Sequence, residues 1–178
     1  MTYSSGVAFI FEGETEQTFY EILISRFSGQ HREYSFSQRY DESINEFISE
    51  SIGTNHSVII RMNTVRTVTQ VAHSADWFTN TCKKNHRGIR WTVFLCYDTD
   101  SPTEDITKFY EGDWLILRNK LKARNVEIID LASRAMIEDL LLYDSEGICN
   151  YLEVPNQPIP RKGNGKTTLK EFGSFRVV

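Results

Sequence analysis

Val7-Ala8-Phe9-Ile10-Phe11 running into Glu12-Gly13-Glu14-Thr15-Glu16 is the stretch on which the fold turns. An apolar run this short, followed at once by acids and glycine, reads as a strand buried on both faces rather than as a helix. After it, Phe19, Ile22, Leu23 and Phe27 recur at spacings of three and four, which predicts a helix over about Thr15 to Phe27. Strand, tight turn at Gly13 and helix together make a βα unit. A second run, Thr92-Val93-Phe94-Leu95-Cys96-Tyr97, leads into Asp98-Thr99-Asp100 in the same way. In a parallel sheet both acidic clusters would stand at the carboxyl ends of their strands, the edge where open α/β sheets bind ligands.

Outward from these two units the pattern keeps alternating. Tyr34 and Phe36 suggest an edge strand, and Ile44, Phe47, Ile48 and Ile52 make the apolar face of a helix over Asp41 to Ile52, so that residues 28–56 read as an insertion. Ser57 to Arg61 reads as a core strand. Val65, Val68, Val71, Ala72, Ala75, Phe78 and Cys82 form a stripe that predicts one helix from Thr64 to Lys84, with Lys83 and Lys84 complementing its carboxyl end. A helix through Trp114, Leu117 and Leu121, a strand from Val126 to Leu131 and a short helix from Ala135 to Tyr143 follow. Beyond Gly147, the prolines 155, 158 and 160 and Gly163-Asn164-Gly165 predict a loop-rich basic tail. Strands alternating with helices of this length predict an α/β fold, an open and mostly parallel sheet with helices on both faces.

With 178 residues, 40% of them hydrophobic, the chain can bury one core and reads as a single domain over 1–178. It contains no apolar run long enough to span a bilayer, and Met1 to Phe11 lacks the features of a signal peptide, so a cytoplasmic protein with no membrane partner is expected. Cys82, Cys96 and Cys149 are scattered and odd in number, which supports neither a disulfide framework nor a cysteine zinc site. Cys96 and Tyr97 read as core. The four histidines show no metal-ligand spacing.

A net charge of −4 conceals local basic stretches. Arg61, Arg66, Lys83, Lys84, Arg87 and Arg90 fall close together, and Arg161, Lys162, Lys166, Lys170 and Arg176 mark the tail. These are the candidate surfaces for DNA or RNA, against the plainer alternative of solvated helix ends. The acids point to different chemistry. Asp98 and Asp100, two apart at a strand end, would point the same way and could share a hard cation such as Mg2+ or Mn2+. Glu12 stands at the matching edge of the first strand, and Glu16, about one helical turn later, can face the same crevice.

Glu12-Gly13-Glu14-Thr15-Glu16 after one apolar strand and Asp98-x-Asp100 after another resemble the Toprim domain shared by topoisomerases, primases and small nucleases. The stand-alone form looks closest to the OLD and RloB-like proteins of bacterial phage-defence systems. The resemblance covers roughly residues 7–145. It implies a Toprim-like, Rossmann-like fold and a metal-dependent nuclease acting as an anti-phage effector, with Glu12, Asp98 and Asp100 catalytic and Glu12, Glu16, Asp98, Asp100 and Glu138 holding magnesium or manganese. Lys166 is the match for a late catalytic lysine, and Arg61, Arg66, Lys83, Lys84 and Arg87 would track the nucleic acid. A separate ATPase or other defence subunit is the further partner implied.

Other readings compete for the same residues. Gly165-Lys166-Thr167 imitates the end of a phosphate-binding P-loop, but Pro160 stands where its first glycine belongs and no apolar strand precedes it. A haloacid-dehalogenase-like phosphatase would use Asp98 as nucleophile and Asp100 as acid/base, and would leave Glu12-Gly13 unexplained. A non-catalytic domain that binds nucleic acid or regulates a defence complex is the third alternative.

Overall fold

A computed structural model of the chain describes residues 3–30, 33–41, 46–65, 71–99, 111–133 and 136–174. Six strands, β1 (Ser5–Phe11), β2 (Tyr34–Asp41), β3 (Glu46–Gly53), β4 (Ser57–Thr64), β5 (Arg90–Asp98) and β6 (Val126–Ser133), form one sheet in the order β2-β3-β4-β1-β5-β6. The first apolar run is the central strand, parallel to β4 on one side and to β5 on the other. Bonds from Trp91 N–H to the Asn125 carbonyl and from Thr99 N–H to that of Ser133 advance together along β5 and β6, so this pair is parallel as well. β2 and β3 extend the sheet antiparallel beyond β4. The expected α/β architecture holds. The chain packs as two compact units, residues 1–97 with 107–131, and residues 98–106 with 132–178.

Alternation along the strands sorts the core into two faces. Phe9 and Phe11 of β1, Ile60 and Met62 of β4 and Cys96 of β5 cluster on one face, beneath Tyr20 and Ile24 of helix α1 (Glu14–Gln30). The other face carries Trp91 and Tyr97. Trp91 meets Phe78 edge-on at 5.5 Å, and Tyr97 meets Trp114 of helix α3 (Gly112–Leu121) at 5.6 Å. Gly6 faces Trp91 in the parallel register, and a Cβ there would stand 2.5 Å from the indole. The missing side chain is what lets the largest core ring lie over β1.

Several predicted elements change type. The apolar spacing over residues 41–52 suggested a helix, yet β3 runs through Glu46–Gly53, pairing with β2 and β4 on its two sides. Backbone pairing with strands on either side outweighs a four-residue periodicity that Ile48 and Ile52 satisfy equally well in a strand, where both fall on one face. The predicted helix from Thr64 starts later, because Thr64 ends β4 and Val65 N–H bonds the Phe11 carbonyl. Helix α2 (His73–Trp77) passes directly into a π-helical turn, Phe78–Lys83, and Val71, Ala75, Phe78 and Cys82 of the predicted stripe are buried.

The tail is more ordered than the proline and glycine count suggested. Helices α4 (Ile137–Leu141), α5 (Ser145–Leu152) and α6 (Gly165–Ser174) follow β6. The Asp144 carboxylate accepts the Gly147 N–H at the start of α5, and the Asn164 side chain accepts the Thr167 N–H at the start of α6. Each is an N-cap, worth roughly 1 kcal/mol to its helix. Among the described residues no helix is long and apolar enough to cross a membrane.

Candidate functional site

The exit of β1 is fastened on both sides. The Phe11 carbonyl accepts the Val65 N–H at 2.8 Å and Glu12 N–H donates to the Cys96 carbonyl at 3.0 Å, so the turn into α1 begins where the strand ends. From β1 the chain crosses by α1 to the β2-β3-β4 side. It later returns over the opposite face, by α2 and the π-helical turn, to β5. The carboxyl ends of β1 and β5 therefore flank the switch in strand order, where doubly wound sheets bind ligands.

Glu16 lies on this edge. It shares the sheet-facing stripe of α1 with Tyr20 and Ile24, one turn nearer the helix start, and only 7% of it is exposed. Its carboxylate folds back over Gly13, where a Cβ would stand 2.7 Å from Oε2. The same charge reaches Cys96 of β5: burial first, and Glu16 second, push the Cys96 thiol well above its ordinary range. Oε2 is buried with no hydrogen-bond donor among the described residues. Glu12, half-buried, stands at the strand end itself.

Within the second unit Asp98 is also buried, 7% exposed, and its Oδ2 accepts the backbone N–H of Ile137 at 3.2 Å. Ile137 opens α4, so this carboxylate caps a helix. Glu138 follows on α4, half-buried, and Asp139 pairs with Arg161 at 3.8 Å. Gly165 begins α6 against the Glu138–Asp139 backbone, which a side chain at that position would strike. Lys166 is exposed on α6, and the glycine-lysine-threonine string there is accounted for by a helix start capped by Asn164. Asp100 lies outside the described residues.

The cationic candidates separate. Arg66 lies outside the described residues, Lys83 is half-buried at the end of the π-helical turn, and Lys84 and Arg87 are exposed. Arg61 cannot track a phosphate backbone, because it is 1% exposed inside the protein. Alternation on β4 turns it to the Trp91 face of the sheet, opposite Ile48 of β3. Around this face the Tyr3 hydroxyl donates to Glu50 Oε1 at 2.5 Å, Arg39 approaches the same oxygen at 3.9 Å, and His86 stacks edge-on against Tyr3 at 5.3 Å. Burial pushes the Tyr3 phenol up to about 12, reinforced by its bond to Glu50.

His86 is held below its ordinary 6.5, chiefly by burial and then by the Arg61 charge, against a smaller pull upward from Glu50. The unfolded chain then binds this proton before the folded one does. The His86 contribution is complete above about pH 6.5 and is lost as the pH falls through the lower folded value. Thermal unfolding of the wild type should fall more steeply between about pH 7 and pH 5 than that of His86→Gln. Parallel curves would place the acid sensitivity elsewhere.

No family model and no curated protein matches the chain. Among solved structures, a futalosine hydrolase mutant of Helicobacter pylori aligns over 98% of this chain and 96% of its own, at 9% identity and a TM-score of 0.33. The Helicobacter pylori MTAN aligns over 96% and 95%, at 10% identity and 0.33. The Campylobacter jejuni 5'-methylthioadenosine/S-adenosyl homocysteine nucleosidase aligns over 96% and 94%, at 10% identity and 0.31. Likeness at this level transfers no residue role.

The expectation of a magnesium- or manganese-dependent nuclease is corrected. Among the described residues no group of three histidine, cysteine, aspartate or glutamate side chains is placed to hold a metal ion. The physical reason lies in where the acids go: Glu16 turns beneath α1 toward Cys96, and Asp98 gives its Oδ2 to the first N–H of α4. The anti-phage effector role and the metal cofactor fall with that activity.

Proposed function

We propose that this chain is a hydrolase whose acid–base group is Glu16, acting at the carboxyl ends of β1 and β5. The observation that carries the reading is the buried Glu16 Oε2, which lacks a protein donor among the described residues on the edge where the strand order switches. A carboxylate oxygen kept from water and given no donor costs stability, and such groups concentrate where a ligand completes their hydrogen bonding. The partner it suits is a substrate O–H or N–H, or an attacking water.

In that position the carboxylate can take a proton from water as it attacks and return it to the leaving group, an effect of about 100-fold or more in rate. Gly13 keeps the space above the strand end free for the folded-back side chain, and the Glu12 to Cys96 backbone bond fixes the turn that aims it. The argument rests on this site and not on fold likeness, since one α/β architecture hosts many chemistries.

The test is a hydrolysis screen of carboxylic esters, amides and O- and N-glycosides with the full chain. One class should be turned over, and Glu16→Gln, which keeps size and removes the ionisable group, should lose about 100-fold in kcat without loss of folding. Glu14→Gln, exposed in the same helical turn, should keep its rate. Turnover of none of these classes, or full activity in Glu16→Gln, would refute the reading.

A further inference from the structure

At the other end of β5, away from Glu16, pairing brings together two basic segments that are far apart in sequence. Residues 83–90 and 122–127 carry Lys83, Lys84, Arg87, Arg90, Lys122 and Arg124 against a single acid, Glu127, in a chain whose net charge is −4. Trp91 N–H bonds the Asn125 carbonyl at 2.9 Å, and the Asn125 side chain donates back to the Ile89 carbonyl at 2.9 Å. These two bonds hold the entrances of β5 and β6 side by side.

Between them runs an open groove of about 560 Å³ lined by Gly88, Arg90, Arg124, Asn125, Val126 and Glu127. That volume is of the size that takes a small ligand or one unit of a polymer. Arg90 and Arg124 are both exposed, and Glu127 holds the Arg90 guanidinium at 3.0 Å. Gly88, at a φ of 89°, forms open wall: a side chain there would meet nothing within 4 Å. Arginine offers a planar fork matched to phosphate oxygens, and backbone free of side chains lets a phosphate come close.

We infer that this groove binds the phosphodiester backbone of a nucleic acid, with Arg90 and Arg124 as its phosphate contacts. Among the described residues no aromatic side chain lines the groove, so the contacts it offers are to phosphates and binding is independent of sequence, driven by release of counterions. Glu127 opposes it. Its carboxylate competes with a phosphate for Arg90, and its removal strengthens binding. The inference is independent of the Glu16 reading, since it concerns the opposite end of the strand and needs no catalysis.

The experiment is fluorescence anisotropy of short labelled oligonucleotides of two unrelated sequences, titrated with the full chain at several salt concentrations. The wild type should bind both sequences alike. Arg90→Glu and Arg124→Glu should each weaken binding about tenfold or more, and Arg124→Ala should flatten the salt dependence by about one contact. Glu127→Gln should tighten it, and Lys170→Glu, on exposed α6, should leave it unchanged. All sites changed are on the surface, so unaltered unfolding curves separate binding from folding. Equal affinity in the reversal variants would overturn the inference. Polyglutamate competing as well as the oligonucleotide, or inorganic phosphate binding without the oligonucleotide, would overturn it too, by reducing the groove to a site for any acidic chain or small anion.

Discussion

Trp91→Ala should lower the unfolding free energy by about 3–5 kcal/mol, the range for removing a large aromatic side chain from a packed core. Trp91 is fully buried, lies over Gly6 of the central strand, meets Phe78 edge-on at 5.5 Å and approaches His86 at 6.3 Å. Its neighbours come from β1, the π-helical turn and the loop before β5, so no single element can move to fill the space. Because Gly6 has no side chain of its own, the cavity would also expose the β1 backbone. Urea unfolding with an unchanged slope is the measurement, with Tyr143→Ala as the reference, since 83% of Tyr143 is exposed and its loss should cost no more than about 0.5 kcal/mol. A Trp91→Ala protein within about 1 kcal/mol of wild type would mean that the opposite face of the sheet, under α1, holds the fold by itself.

Glu50→Ala should cost about 3 kcal/mol, because it strips a carboxylate from the face that buries the Arg61 guanidinium. Arg61 is 1% exposed, and the Glu50 carboxylate lies on the same side of the sheet, where it accepts the Tyr3 hydroxyl. A guanidinium left there with less opposing charge is destabilised by far more than an exposed ion pair contributes. Adding Arg61→Met should recover most of the loss, since an apolar side chain of similar length needs no counter-charge. A double variant as unstable as Glu50→Ala would show that Glu50 acts through Tyr3 and Arg39 instead.

How much of this was legible beforehand depended on whether an element's pattern had one solution. The runs Val7–Phe11 and Thr92–Tyr97 were readable as strands because each is short, apolar and closed by acids, and Trp114, Leu117 and Leu121 fall on the buried face of α3 as their spacing predicts. Residues 46–53 had two solutions, and a partner strand on each side chose between them. In the tail, prolines outweighed the capping residues Asp144 and Asn164, each three residues before the N–H its side chain accepts.

The candidate site divides in the same way. The placing of Glu16 near the switch edge, four residues after Glu12, was legible in the sequence, but the buried face of α1 was not: the predicted stripe ran through Ile22 and Leu23, which are exposed, whereas Tyr20 and Ile24 pack on the sheet. That the Glu16 carboxylate folds over Gly13 toward Cys96 is a matter of packing between α1 and the sheet. The fates of Asp98 and Arg61 were invisible along the chain. One caps α4 and the other is buried, because Ile137 and the Glu50 face arrive from distant segments. The groove is the clearest case: local chemistry made Arg90 and Arg124 cationic, but only hydrogen bonding between β5 and β6 made them neighbours. Sequence determined the central strands, helix α3 and the charges they carry, since those follow from interactions a few residues apart. Tertiary structure decided which charges were spent on the fold and which face solvent, since burial is a property of pairing and packing across the whole chain.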